Sequence, residues 1–194
     1  DAMTSDTRTV AAIKGQMSKF SGIISQNMPK PKQRLIKEMV YGIQAAKDIK
    51  LSGVTRSLNE SIPLLKTEDR LSRNLDDQDF TAEVNNQVCR LGSAKVTDDM
   101  VIAIDPGDIR KKYASKMEHI CKVHDGSQHE IGDGYWLCKA VAADIEHRKV
   151  IPLYREAYSQ EAQSFMSENH QLFTVIDMVS LHVGNKGIYA IDRG

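Results

Sequence analysis

The second half of the chain carries the pattern that most restricts its fold. Three segments alternate or run apolar at strand length, "MVIAID", "GYWLCKAVAAD" and "KVIPLYRE". A long helical segment follows, "SQEAQSFMSENHQLFTVIDMVSLHVG", and then a last short strand, "GIYAID". The order is β-β-β-α-β. Short links make the first three strands an antiparallel meander. A helical crossover then returns the chain, so the fourth strand lies parallel to the first and beside it. Both of those strands end on an aspartate, Asp105 and Asp192. Parallel neighbours about 4.8 Å apart would bring the two carboxylates together. Two such charges repel unless a cation intervenes, and Mg²⁺ or Mn²⁺ with oxygen ligands removes the conflict.

Within these elements the first strand is expected to stop at the Asp-Pro-Gly turn signal of residues 105–107. Pro152 suits an edge or a bulge. Ala162, Phe165, Met166, Leu172, Phe173, Ile176 and Val179 form the apolar stripe of the long helix, with Phe165, Met166 and Phe173 assigned to the core and Gly184 to its end. Trp136 is assigned to packing.

The first half reads helical. "NMPKPK" at 27–32 breaks the pattern, and Leu35, Ile36, Met39, Val40 and Ile43 then recur at helical spacing. Two short helices near residues 51–60 and 67–75, with Thr67 as the cap of the second, suggest a helix-turn-helix-like pair. Lys66, Arg70 and Arg73 are its candidate DNA contacts. A further helix ends at Gly92. The reading is α+β: an N-terminal segment and linker at 1–32, a helical DNA-binding region at 33–97, and a mixed sheet at 98–194.

Charge supports that division. The net charge is zero, yet residues 1–95 hold 15 Lys+Arg against 11 Asp+Glu and residues 96–194 hold 11 against 15. A polyanion would favour the first part, and cations would gather in the second. Apolar content of 41% is ordinary for a globular protein, and no apolar run approaches the roughly 18 residues of a membrane span. "DAMTSDTRTV" lacks the basic-then-apolar pattern of a signal peptide. Three cysteines without framework spacing, Cys89, Cys121 and Cys138, suggest reduced thiols and a cytoplasmic setting. The spacing of His119, Cys121, His124 and His129 is not that of paired zinc knuckles, and a hairpin with scattered His and Cys is preferred. Asp108, Asp133 and Asp144, near strand ends, are assigned turn or solvent roles.

Taken in order, "IDPGDIRKKYASKMEHICKVHDGSQHEIGDGYWLCKAVAAD", "VIPLYREAYSQEA", "SEN" and "IYAIDRG" resemble the DDE transposases of bacterial insertion sequences, whose catalytic core is ribonuclease H-like. "GIQAAKDIKLSGVTRSL" and "TEDRLSRNL" resemble the helical region before that core, so the likeness covers roughly residues 35–194. It implies a DNA transposase that binds transposon ends and cuts and joins DNA with Mg²⁺ or Mn²⁺. By the same resemblance Asp105 matches the first catalytic acid, bridging two metals, and Asp192 the second. The third, a glutamate in a Tyr-Arg-Glu-Lys signature after the fourth strand, has no counterpart here. Tyr154, Arg155 and Glu156 precede Asp192 and are contiguous, so they are not that signature. The expectation is an incomplete core, inactive alone, with an exposed apolar face or edge and a tendency to self-associate on DNA. The expected partners are double-stranded DNA, as terminal inverted repeats and target, and no membrane; when bound, the protein would be nucleoid-associated. The alternative is a transposase-derived DNA-binding protein that does not cut.

Overall fold

The structure is a computed structural model that describes residues 5–77, 79–114, 116–125 and 130–191. It is α+β, with six helices and a mixed sheet of five strands among the described residues. The chain divides into two compact units, Asp1–Gln87 and Val88–Gly194. None of the helices among the described residues is long and apolar enough to cross a membrane.

The first unit holds α1 (Ser5–Ile24), α2 (Lys30–Ala46), α3 (Leu51–Leu58), α4 (Leu64–Asp76) and the start of α5 (Thr81–Ser93). The prolines of "NMPKPK" sit at the start of α2, with Pro29 as N-cap and Pro31 in the first turn. Proline is tolerated there because the first helical N–H groups have no intrahelical partner. Leu35, Val54 and Leu71 are fully buried and join α2, α3 and α4 around one small core. Gly42 lets α2 close on α3, since an added Cβ would collide with the Val54 side chain. Helix α4 begins at Leu64, earlier than Thr67, so Thr67 is not its cap. It lies inside the helix, buried, and its hydroxyl donates to Glu60 at 2.8 Å.

The second unit is built on β1 (Val101–Arg110), β2 (Cys121–Asp125), β3 (Glu130–Asp144), β4 (Lys149–Tyr158), α6 (Glu168–Val183) and β5 (Ile188–Ile191). Long β3 is the centre of the sheet. β1 runs antiparallel along one side of it, while β2 and β4 share the other side, pairing with its first and second parts. β5 lies beside β1 and parallel to it, as the β-β-β-α-β order requires. β4 skips one residue, Leu153, against Ala140 and Val141, so Pro152 does sit at a bulge.

Ile102, Ile104, Cys138, Ala140, Ala142 and Tyr154 on one sheet face pack with Val175, Val179 and Val183 of α6. Helix α6 starts at Glu168, with Ser167 as N-cap accepting the His170 N–H. Of the expected stripe, Val179 is in the core with Leu172 and Ile176 packed against it, while other members are not. Phe173 is 63% exposed and Met166, before the helix, 73% exposed, so neither is core. Phe165, also before the helix, stacks on Tyr158 at 6.0 Å between ring centroids.

β1 also differs from expectation. It does not stop at Asp105-Pro106-Gly107 but pairs with β3 in unbroken register to Arg110 opposite Gly134. The partner segment, apolar and aromatic, holds the extension in place. Past Ile104 no β5 partner is described, so Pro106 occupies the edge-like position that a residue without an N–H tolerates.

Candidate functional site

Asp105 sits in the middle of β1, directly opposite Lys139 of β3. Side chains alternate along a strand. Ile104 is buried beneath α6, so Asp105 projects to the other face, where its side chain is 44% exposed. Lys139 Nζ lies 2.7 Å from its Oδ2. Arg155 of β4 pairs with Lys139 on the far side and is exposed. One row across this face thus reads Asp105, Lys139, Arg155. The two rows beneath it are apolar: Ala190, Ala103, Val141 and Pro152, then Ile188, Val101, Ala143 and Val150. Ile188 and Val150 are 62% and 64% exposed, so this face carries open apolar surface.

The parallel pairing of β1 with β5 runs from Val101 opposite Ile188 to Ile104 opposite Ile191. Asp105 and Asp192 are the next residues on the two segments. Asp192 lies outside the described residues, as does His129. Asp105 offers hard oxygen donors with access to water, which suits Mg²⁺ or Mn²⁺ bound through one or two carboxylates, waters and a substrate phosphate. Among the described residues no group of three or more His, Cys, Asp or Glu is arranged to hold a metal. Cys121 and Cys138, the two thiols of the histidine- and cysteine-bearing hairpin, are buried in the sheet.

Glu156 follows Arg155 and so faces the α6 side, away from Asp105. There Tyr154 Oη donates to it, as does Gln171 Nε2 at 2.9 Å. It is a satisfied inner carboxylate. Asp133 pairs with Lys122 at 2.5 Å. Asp144 accepts the His147 backbone N–H, which with the His147 ring holds its carboxyl below the usual range. Asp108 and Trp136 line a cavity of about 800 Å³ with His124, Tyr158, Glu168 and Phe173. Its lining also includes Pro106 and Ile191, the sequence neighbours of Asp105 and Asp192.

No family model matches the chain, and no curated protein matches it.

In the helical unit, Arg70 is turned inward. Its guanidinium donates to Glu38 Oε2 at 2.6 Å and to Glu60 Oε2 at 2.9 Å, and only 22% of the side chain is exposed. Arg34 completes the network by reaching the same two carboxylates. The Thr67 hydroxyl first, and Arg70 and Arg34 with it, hold the Glu60 carboxyl below its ordinary value. Lys66 and Arg73, on the same helix, are exposed.

Sequence reasoning passed over Lys139 and weighed Arg155 only as part of the Tyr154, Arg155 and Glu156 run. A signal existed for Lys139: it is the one charge in the apolar run "GYWLCKAVAA". Its meaning depended on register, which places it opposite Asp105.

Proposed function

We propose that the chain is a DDE transposase of the bacterial insertion-sequence kind, with a ribonuclease H-like core in which Asp105 and Asp192 hold the metal. The observation that carries this reading is the parallel pairing of β1 with β5, closing on Ile104 and Ile191. Asp105 and Asp192 are the next residues in sequence after that last pair. The sheet order supports it as well: β1, β3 and β4 pair antiparallel in turn, and β5 lies parallel to β1, as the resemblance implies.

When bound, a divalent metal would activate water or a DNA 3′-hydroxyl and stabilise the leaving oxygen. The chain's own residues bind and orient. Arg155 lies in the same cross-strand row as the Asp105–Lys139 pair, a position suited to a phosphodiester on this reading. In the helical unit, exposed Lys66 and Arg73 are the residues left to contact DNA, while Arg70 fixes α4 in place. Duplex DNA is the proposed partner.

Fluorescence anisotropy of a labelled duplex tests the reading. Mn²⁺ should tighten binding by the wild-type chain but not by Asp105→Asn or Asp192→Asn. Binding that ignores Mn²⁺ and both substitutions would overturn the metal-dependent enzyme and leave a DNA-binding protein that does not cut.

A further inference from the structure

We propose that the cavity beside the first turns of α6 is a binding site for a small organic cation, a protonated amine carried on an aromatic or apolar body. The site uses neither Asp105 nor Asp192 and does not rest on the metal reading.

The sheet register builds one wall. Asp108 of β1 lies opposite Trp136 of β3, and Trp136 lies opposite Tyr158 of β4. Trp136 is two residues from Cys138, which packs with α6. Side chains two apart share a sheet face, so this row belongs to the α6 side. Helix α6 adds Glu168, Leu172 and Ile176, with Phe173 at the exposed rim. The volume of about 800 Å³ lies within the roughly 300–1,000 Å³ of small-molecule sites.

The lining selects the sign of the ligand. It holds two carboxylates, Asp108 and Glu168, and no lysine or arginine among the described residues; His124 is its one basic side chain. Glu168 accepts from Gln160 Nε2 at 2.9 Å. Asp105, Asp133 and Asp144 each meet a basic side chain. The half-buried Asp108 carboxylate meets none and has no hydrogen bond among the described residues. An acid left unpaired among aromatic side chains is a place for a positive charge that the chain itself does not supply. Trp136, Tyr158 and Phe173 favour the same sign, because the face of an aromatic ring attracts cations. An anion would meet two like charges.

Trp136 is the single tryptophan of the chain, so its fluorescence reports this cavity directly. Three probes of similar shape are titrated into the wild-type chain and Asp108→Asn: biphenylmethylamine, a cation; biphenylmethanol, uncharged; and biphenylacetate, an anion. Circular dichroism confirms that the variant is folded; should it not fold, Glu168→Gln serves the same comparison. The amine should change the Trp136 emission saturably and bind roughly two- to thirtyfold more tightly than the alcohol. The acetate should bind most weakly. Asp108→Asn should bring the amine close to the alcohol and leave the alcohol unchanged. The proposal is overturned if the amine gives no saturable change, or if the alcohol or the acetate binds as tightly as the amine. It is overturned equally if the variant keeps the full preference for the amine.

Discussion

Replacing Arg70 by Ala separates two roles that a basic residue on α4 can have. In the structure its guanidinium joins Glu38 of α2 to Glu60, which precedes α4, with all three side chains at most 24% exposed. Hydrogen bonds to charged groups are worth about 1.5–3 kcal/mol each. Two are lost in Arg70→Ala, but partial exposure screens them, and Glu38 and Glu60 keep Arg34 as a partner. The net cost should therefore be about 2 kcal/mol, read by urea unfolding followed at 222 nm. A double-mutant cycle with Glu38→Gln should show a coupling of about 1 kcal/mol. The acid limb gives a second readout. Because the folded Glu60 carboxyl is held below its ordinary value of 4.5, its contribution is present above that pH and lost as pH falls through the folded value. Arg70→Ala should flatten that loss. If Arg70→Ala changes stability by less than about 0.5 kcal/mol and instead lowers DNA affinity, the network is incidental and Arg70 belongs to the DNA surface.

Leu153→Ala, at a fully buried position on β4, should cost about 2–5 kcal/mol by thermal or urea unfolding. Gly134→Ala should cost about 1–3 kcal/mol, because its Cβ would meet the Ile109 carbonyl and, at 2.7 Å, the Val123 side chain. Stability should fall between pH 9 and 11: burial pushes the Cys89 and Cys138 thiols from 9.0 up to about 11, so the unfolded chain loses those protons first. Alkaline denaturation of Cys89→Ala beside wild type measures the first of these contributions.

How much of this was legible in sequence follows from which forces are local. Strand alternation and a crossover helix are local, so three of the four strands before α6, the closing β5 and its pairing with β1 could be read directly. The extension of β1 through Asp-Pro-Gly was not legible, because a turn signal is also local and was overridden by a partner strand some 30 residues away. The same limit hid β2, whose "CKVHD" offers only two apolar residues, Cys121 and Val123, to mark its buried face. Apolarity alone placed Phe173 and Met166 in the core, yet Val175 and Val183 hold that position beside the expected Val179. Arg70 shows the limit for function. A cation on a helix reads as a DNA contact until the acids that meet it, Glu38 and Glu60, are placed by tertiary structure.

The central claim is that Asp105 and Asp192 share one metal. Calorimetric titration of Mn²⁺ into Asp105→Asn and, separately, Asp192→Asn tests it most directly. The account predicts that each substitution alone abolishes the binding seen with the wild-type chain. Binding that survives both would place the metal elsewhere and leave the two aspartates with no shared chemistry.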